Sequence, residues 1–228
     1  MSIAHNLTMV RDRIAAAAKR AGRDPLSITL VAVTKTVGPE QVRQAVAAGA
    51  AVLGENRVQE AKEKFEQLGA IARWHLIGTL QKNKAKYAVR FFELIHSLDS
   101  ADLARELDRQ AAKNGKVQDV LVEVNIAGEA SKTGVAPRDA AALVREAAAL
   151  QNIRVLGLMT MPPYSEDPES SRPHFRRLRE LRDAIIKENI PGMALRELSM
   201  GMSGDFEVAV EEGATLVRIG TAIFGERK

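Results

Sequence analysis

Two periodicities alternate along the chain. Short β-branched, apolar runs read as strands at residues 28–34, 51–56, 74–78, 94–98, 117–125, 153–160, 198–202 and 216–220. Between them lie stretches in which apolar positions recur every three or four residues, as on one face of a helix. An Ala- and Arg-rich helix is predicted over residues 2–21, ahead of the first strand. Pro39 suits the first turn of the next helix, and Gly49 suits its end. A charged helix runs to Gly69, and a Lys-rich one to about Phe92. Asp99 or Ser100 caps a helix with Leu103 and Leu107 on one face. Further helices are predicted over 137–150, from about 172 to 189, and over 206–213, while residues 161–171 form the longest irregular stretch.

Strands in strict alternation with helices argue for a parallel sheet, and eight is the number that closes a β/α barrel. The fold class predicted is therefore α/β, a single (β/α)8 TIM-type barrel, with residues 1–228 as one domain and no linker. Almost no helix follows the eighth strand, and the extra N-terminal helix is expected to take that place outside the barrel. An open doubly wound sheet is the alternative, but the first strand–helix turn lacks the GxGxxG of a dinucleotide fold.

Composition narrows the function classes. The 228 residues are 46% hydrophobic, enough for one substantial core, and no run approaches the length of a membrane span. There are no cysteines, which excludes disulfides, thiolate metal sites and a cysteine nucleophile. The N-terminus lacks the basic-then-apolar order of a secretory signal, so a cytoplasmic protein is expected. The net charge of +4 is a mild excess, and only 4% of residues are aromatic, so nucleic acid is not an expected partner. Lys82, Lys84 and Lys86 are expected to form a solvated helix face, and Glu180 and Asp183 interrupt the arginines at 176–182. No pair among His5, His75, His96 and His174 has helical ligand spacing, so no metal site is expected.

In a barrel of this kind the chemistry sits where the strands end. Strand one ends in Lys35, strand two in Asn56, strand seven in Ser199-Met-Gly-Met-Ser203 and strand eight in Arg218-Ile-Gly-Thr221. Lys35 follows an apolar run, and a desolvated amine there is a nucleophile toward aldehydes; a lysine that merely emerges into water is the equal alternative. The glycines and serines of 199–204, with Gly220 and Thr221, offer backbone N–H groups to a phosphate, although Ser203 and Asp205 are also ordinary helix caps. Together these features suggest a phosphorylated aldehyde bound to a lysine.

Six segments in order carry a specific resemblance: Ala32-Val-Thr-Lys35, Gly54-Glu-Asn-Arg-Val-Gln-Glu60, Trp74-His-Leu-Ile-Gly78 with Gln81 and Asn83-Lys84, Gly157-Leu-Met-Thr160, Leu198-Ser-Met-Gly-Met-Ser203, and Val217-Arg-Ile-Gly-Thr-Ala-Ile-Phe-Gly225. On these the chain resembles the pyridoxal phosphate homeostasis proteins, which share the barrel of the alanine racemase N-terminal domain. The resemblance implies that Lys35 carries pyridoxal 5′-phosphate as a Schiff base. It implies that Ser203, Gly220 and Thr221 hold the phosphate, with Ser199, Gly201 and Met202 shaping that loop. It places Arg218 at the pyridine nitrogen and Asn56 beside the ring.

The function so implied is reversible carriage of pyridoxal phosphate in intracellular vitamin B6 homeostasis, with delivery to apoenzymes and without strong catalytic activity. The alternatives are a racemase-like enzyme using a single lysine base and a cofactor-independent Schiff-base lyase. In alanine racemases the opposite-face tyrosine belongs to a second domain, and this chain stops at strand eight. Tyr164 is the one tyrosine placed to reach the barrel mouth. His75 and His96 are expected to be satisfied core histidines. Because racemases of this type pair through the second domain, a monomer is expected.

Overall fold

A computed structural model describes residues 2–129 and 132–226. Eight parallel strands form a closed barrel in sequence order: β1 (Thr29–Val33), β2 (Val52–Glu55), β3 (Arg73–Leu76), β4 (Leu94–Leu98), β5 (Gln118–Glu123), β6 (Ile153–Met159), β7 (Glu197–Ser199) and β8 (Leu216–Ile219). Closure is direct, since β8 pairs with β1 from Thr29 opposite Leu216 to Ala32 opposite Ile219. The helices are α1 (Ile3–Arg20), α2 (Pro39–Ala47), α3 (Val58–Leu68), α4 (Ala85–Phe91), α5 (Ala101–Lys113), α6 (Pro137–Ala148), α7 (Arg172–Lys187), α8 (Phe206–Glu211) and α9 (Thr221–Phe224).

Side-chain alternation along each strand splits the core in two. Val31, Val33, Leu94, Leu121, Leu156 and Leu216 pack together inside the barrel. Ala32, Leu53, Trp74, Ile95, Val217 and Ile219 face the helices in a larger cluster. His96 lies two residues beyond Leu94, and Arg218 two beyond Leu216, so both share the inward face above an apolar floor.

The helix predicted ahead of the barrel does take the place expected of it. Among the described residues the single turn α9 is the one helix that follows β8, and α1 packs against both α8 and α9. Arg13 and Arg20 of α1 pair with Glu207 and Glu211 of α8 at 2.7 and 2.8 Å, and the Asn6 amide donates to the Ile223 carbonyl at 2.9 Å. The arginines of α7 are likewise paired, with Arg172, Arg176 and Arg179 converging on Glu212. Among the described residues no helix is long and apolar enough to cross a membrane.

Strand ends fall short of the sequence expectation for physical reasons. β7 stops at Ser199, three residues before the expected end, because Gly201 adopts φ 90° and its carbonyl accepts from the Arg218 N–H. β5 stops at Glu123, and the Asn125 N–H donates to Val135 across the following loop. The Lys-rich helix is interrupted, a 3₁₀ turn over Lys82–Lys84 preceding α4.

Candidate functional site

The loops after β1, β2, β3, β6, β7 and β8 enclose a cavity of about 810 Å3 at the C-terminal mouth of the barrel. Of the residues singled out in the sequence, Lys35, Asn56, Met202, Ser203, Arg218, Gly220 and Thr221 line it together. Ser199 and Gly201 do not. Ser199 is fully buried beneath the wall, where its hydroxyl meets Arg218 and His96. Gly201 shapes the loop from behind: a Cβ there would stand 2.5 Å from the Ala209 Cβ and 3.0 Å from the Phe206 Cα.

Lys35 differs from the desolvated amine considered above. It is exposed, at the second position of a turn closed by the Val37 N–H donating to the Thr34 carbonyl at 2.9 Å. The buried lysine is Lys64 of α3. Its ammonium donates to Glu55 Oε1 at 2.6 Å, to Glu60 Oε1 at 2.7 Å and to the Thr34 carbonyl at 2.5 Å. A signal for it was present, because Ala61, Lys64 and Leu68 follow the i, i+3, i+7 spacing of a buried face.

At the opposite wall, the Ser203 hydroxyl accepts from the Gly220 and Ala222 N–H groups, each at 3.3 Å. It therefore caps the turn after β8 and not α8, where Ser203 was considered as a cap. Asp205 accepts from the Met202 N–H at 2.7 Å and from the Ser171 hydroxyl at 2.9 Å, which fixes the loop after β7. Among the described residues the N–H groups of Ser203, Gly204 and Thr221 make no hydrogen bond. Arg218 is 3% exposed and donates to Thr160 O at 2.9 Å and to Ser199 Oγ. Burial lowers its pKa to about 10, opposed by Asp205 and Glu123, so it stays charged at neutral pH.

Below Arg218 a directional chain runs through the barrel. Ser199 Oγ accepts from Arg218 and has its own proton for His96 Nδ1 at 2.9 Å, which leaves His96 Nε2–H to donate to His75 Nδ1 at 3.0 Å. Burial, with Arg73 adding, pushes His75 down to about 3. Burial, then His75 and Arg218, hold His96 well below its ordinary range. Both imidazoles are therefore neutral at physiological pH, as satisfied core histidines.

The cavity wall carries Lys35, Arg57, Lys84 and Arg218 against one carboxylate, Asp205, among the described residues. Arg57, at the end of the second predicted strand, was given no role in the sequence, and Lys84 was not expected there. Lys84 had been placed on a solvated face, and it is exposed, yet it lines the cavity because the 3₁₀ turn carries it to the barrel mouth. Tyr164 does reach the mouth but is 86% exposed. A cationic wall, unbonded N–H donors on one side and an exposed amine on the other suit a compact anionic ligand with an amine-reactive group.

Fold and site together define a β/α barrel that takes a small anionic molecule at the C-terminal ends of its strands. The sequence profile described as "Alanine racemase, N-terminal domain" matches residues 3–228. The chain is 52% identical over 229 residues to the pyridoxal phosphate homeostasis protein of Aquifex aeolicus, covering 100% of both chains. It is 40% identical to that of Escherichia coli K12, covering 99% of this chain and 97% of that one. Among solved structures, PipY of Synechococcus elongatus with pyridoxal phosphate bound superposes with a TM-score of 0.86 at 36% identity, covering 98% of this chain and 100% of that one. An alanine racemase of Clostridium difficile matches with a TM-score of 0.76 at 16% identity, over 99% of this chain and 57% of that one, a likeness of fold. The chain belongs to the pyridoxal phosphate homeostasis protein family, built on the barrel of the alanine racemase N-terminal domain.

Proposed function

We propose that this protein, acting as one domain over residues 1–228, binds pyridoxal 5′-phosphate reversibly in intracellular homeostasis of that cofactor. The observation that carries the reading is the pairing of the exposed Lys35 amine, at the end of β1, with an N–H cradle at Ser203, Gly204 and Thr221 in the same cavity. The family relatives' names point the same way. When bound, the cofactor supplies an aldehyde with which an amine condenses and from which another amine can displace it.

The residues divide the work. Ser203, Gly220, Thr221 and the unbonded N–H groups hold the phosphate, with Gly201 and Met202 forming the loop. Ser199 acts at one remove, by holding Arg218. Arg218 keeps its own proton and would present N–H to the ring nitrogen. Asn56 would stand beside the ring, and Lys35 would offer the amine. Retention in exchange for turnover follows from Arg218, since a guanidinium gives up no proton to the ring. Tyr164, solvated at the mouth, is no fixed acid for the face opposite Lys35. Delivery to apoenzymes that require the cofactor, a monomeric state and a cytoplasmic location complete the proposal.

The test uses the purified chain with pyridoxal phosphate. Wild type gains a visible absorption band, and borohydride fixes the cofactor on Lys35 as read by mass spectrometry. Lys35→Ala shows neither. Amino acids incubated in deuterated water with the loaded protein take up little or no deuterium at Cα. Absence of the band in wild type overturns the binding, and rapid Lys35-dependent deuterium uptake overturns the non-catalytic role.

A further inference from the structure

We propose that Lys64 and Glu60 form a positioning clamp that sets the direction of the Lys35 amine. The inference rests on the reading of Lys35 as the cofactor-binding amine. Thr36, the third residue of the Lys35 turn, has φ 60°. A β-branched residue seldom adopts that left-handed conformation, and it persists only where its surroundings enforce it.

Both ends of the turn are held from behind. On the N-terminal side the Lys64 ammonium donates to the Thr34 carbonyl, the same oxygen that closes the turn by accepting from Val37. On the C-terminal side Glu60 Oε1 accepts the Thr36 N–H at 2.5 Å. Lys64 links the two, because it also donates to Glu60 Oε1 and to Glu55 Oε1. Glu55 in turn accepts the Thr34 hydroxyl at 2.6 Å. One buried cation thus gathers both flanks of Lys35, while Lys35 itself takes no part. Burial works to raise Glu60, yet the bonds from Lys64 and Thr36 leave it lowered, so it serves as a charged acceptor. The arrangement also separates Lys64 from Lys35 in reactivity. Lys64, with three acceptors and a side chain only 7% exposed, is withheld from an aldehyde that Lys35 is free to meet.

Glu60 is partly exposed, so Glu60→Ala is the variant expected to fold. Two readouts are followed: hydrogen exchange of the Thr36 amide in the cofactor-free protein, and the rate of borohydride-trapped capture of pyridoxal phosphate on Lys35. Glu60→Ala is expected to speed Thr36 exchange at least ~10-fold and slow capture at least ~10-fold. Non-covalent retention should be unchanged between Lys35→Ala and Lys35→Ala/Glu60→Ala, and Glu60→Gln, which keeps an acceptor oxygen, should restore most of both rates. Should Glu60→Ala fail to fold, Lys64→Gln carries the same two readouts with the same reading. A folded variant with wild-type Thr36 exchange or wild-type capture overturns the clamp. Wild type that captures no cofactor overturns the functional reading instead, and Thr36 exchange still decides the clamp.

Discussion

The buried pair His75 and His96 makes the protein's stability fall on mild acidification. In the unfolded chain both imidazoles titrate near ~6.5. In the folded barrel burial holds His75 at about 3 and His96 well below its ordinary range, with Arg218 adding to the latter. Below the unfolded value the unfolded chain binds protons that the folded chain refuses, so stability is present above ~6.5 and is lost as pH falls toward the folded values. From about pH 7.5 to about pH 5.5 each imidazole costs about 1.4 kcal/mol, and the pair about 2.7 kcal/mol. Glu55 and Glu123, both raised by burial, act in the opposite sense, because a carboxyl that protonates more readily when folded favours the folded state as pH falls. The comparison is therefore with His75→Gln/His96→Gln, which keeps the carboxyls and removes the imidazoles. Urea unfolding of cofactor-free protein at the two pH values gives both losses. The wild-type loss should exceed that of the double variant by about 2–3 kcal/mol, or roughly 5–10 °C in melting temperature. Equal losses in the two proteins would refute the neutral buried pair.

Two further perturbations address the walls of the cavity. In a Lys35→Ala background, where covalent capture is absent, Ser203→Ala should weaken retention of pyridoxal phosphate roughly 3- to 10-fold, and Ser203→Ala/Thr221→Ala roughly 30-fold or more, by equilibrium dialysis; retention within twofold of the parent in the double variant would displace the cradle. Gly201→Ala forces a Cβ against Ala209 at φ 90°, and should cost about 2–4 kcal/mol, or roughly 5–15 °C in a thermal melt; a shift below ~2 °C would mean that the loop yields freely.

The barrel was legible because parallel strands buried on both faces read as mostly apolar runs, and β1 over Thr29–Val33 falls inside the run read at residues 28–34. Strand ends were less so, because what ends β7 is the backbone conformation of Gly201, which no apolar pattern encodes. The motifs brought Lys35, Ser203, Arg218, Gly220 and Thr221 to one cavity. They did not separate residues that line it from residues that support it: Ser199 stands beside Ser203 in the same motif but faces inward to Arg218 and His96. Lys84 is solvated, as a lysine-rich stretch suggests, but composition gives no sign that the path of the chain also carries it to the mouth. Lys35 was weighed as a buried amine on the strength of the apolar run before it. The turn at Thr34–Val37 interrupts that run and releases the side chain to the surface, while the burial falls to Lys64, beyond α2 and β2 in sequence.

Burial of the cation and exposure of the amine argue jointly for capture over turnover. Arg218 is locked by Thr160 and by the Ser199–His96–His75 chain, so it neither swings away nor loses its charge. On the proposed reading, a ring nitrogen facing it would accept an N–H and gain no proton, which would deny the electron sink that carbanion chemistry needs. Loosening the chain alone does not supply that sink, since the guanidinium remains. Lys35, by contrast, is open to solvent on its turn, so with the cofactor held there as proposed a second amine would have access to the same carbon. An enzyme gains by closing such a site to water, whereas a carrier gains by leaving the bond accessible. The exposed lysine and the buried arginine are both in keeping with the carrier proposed above.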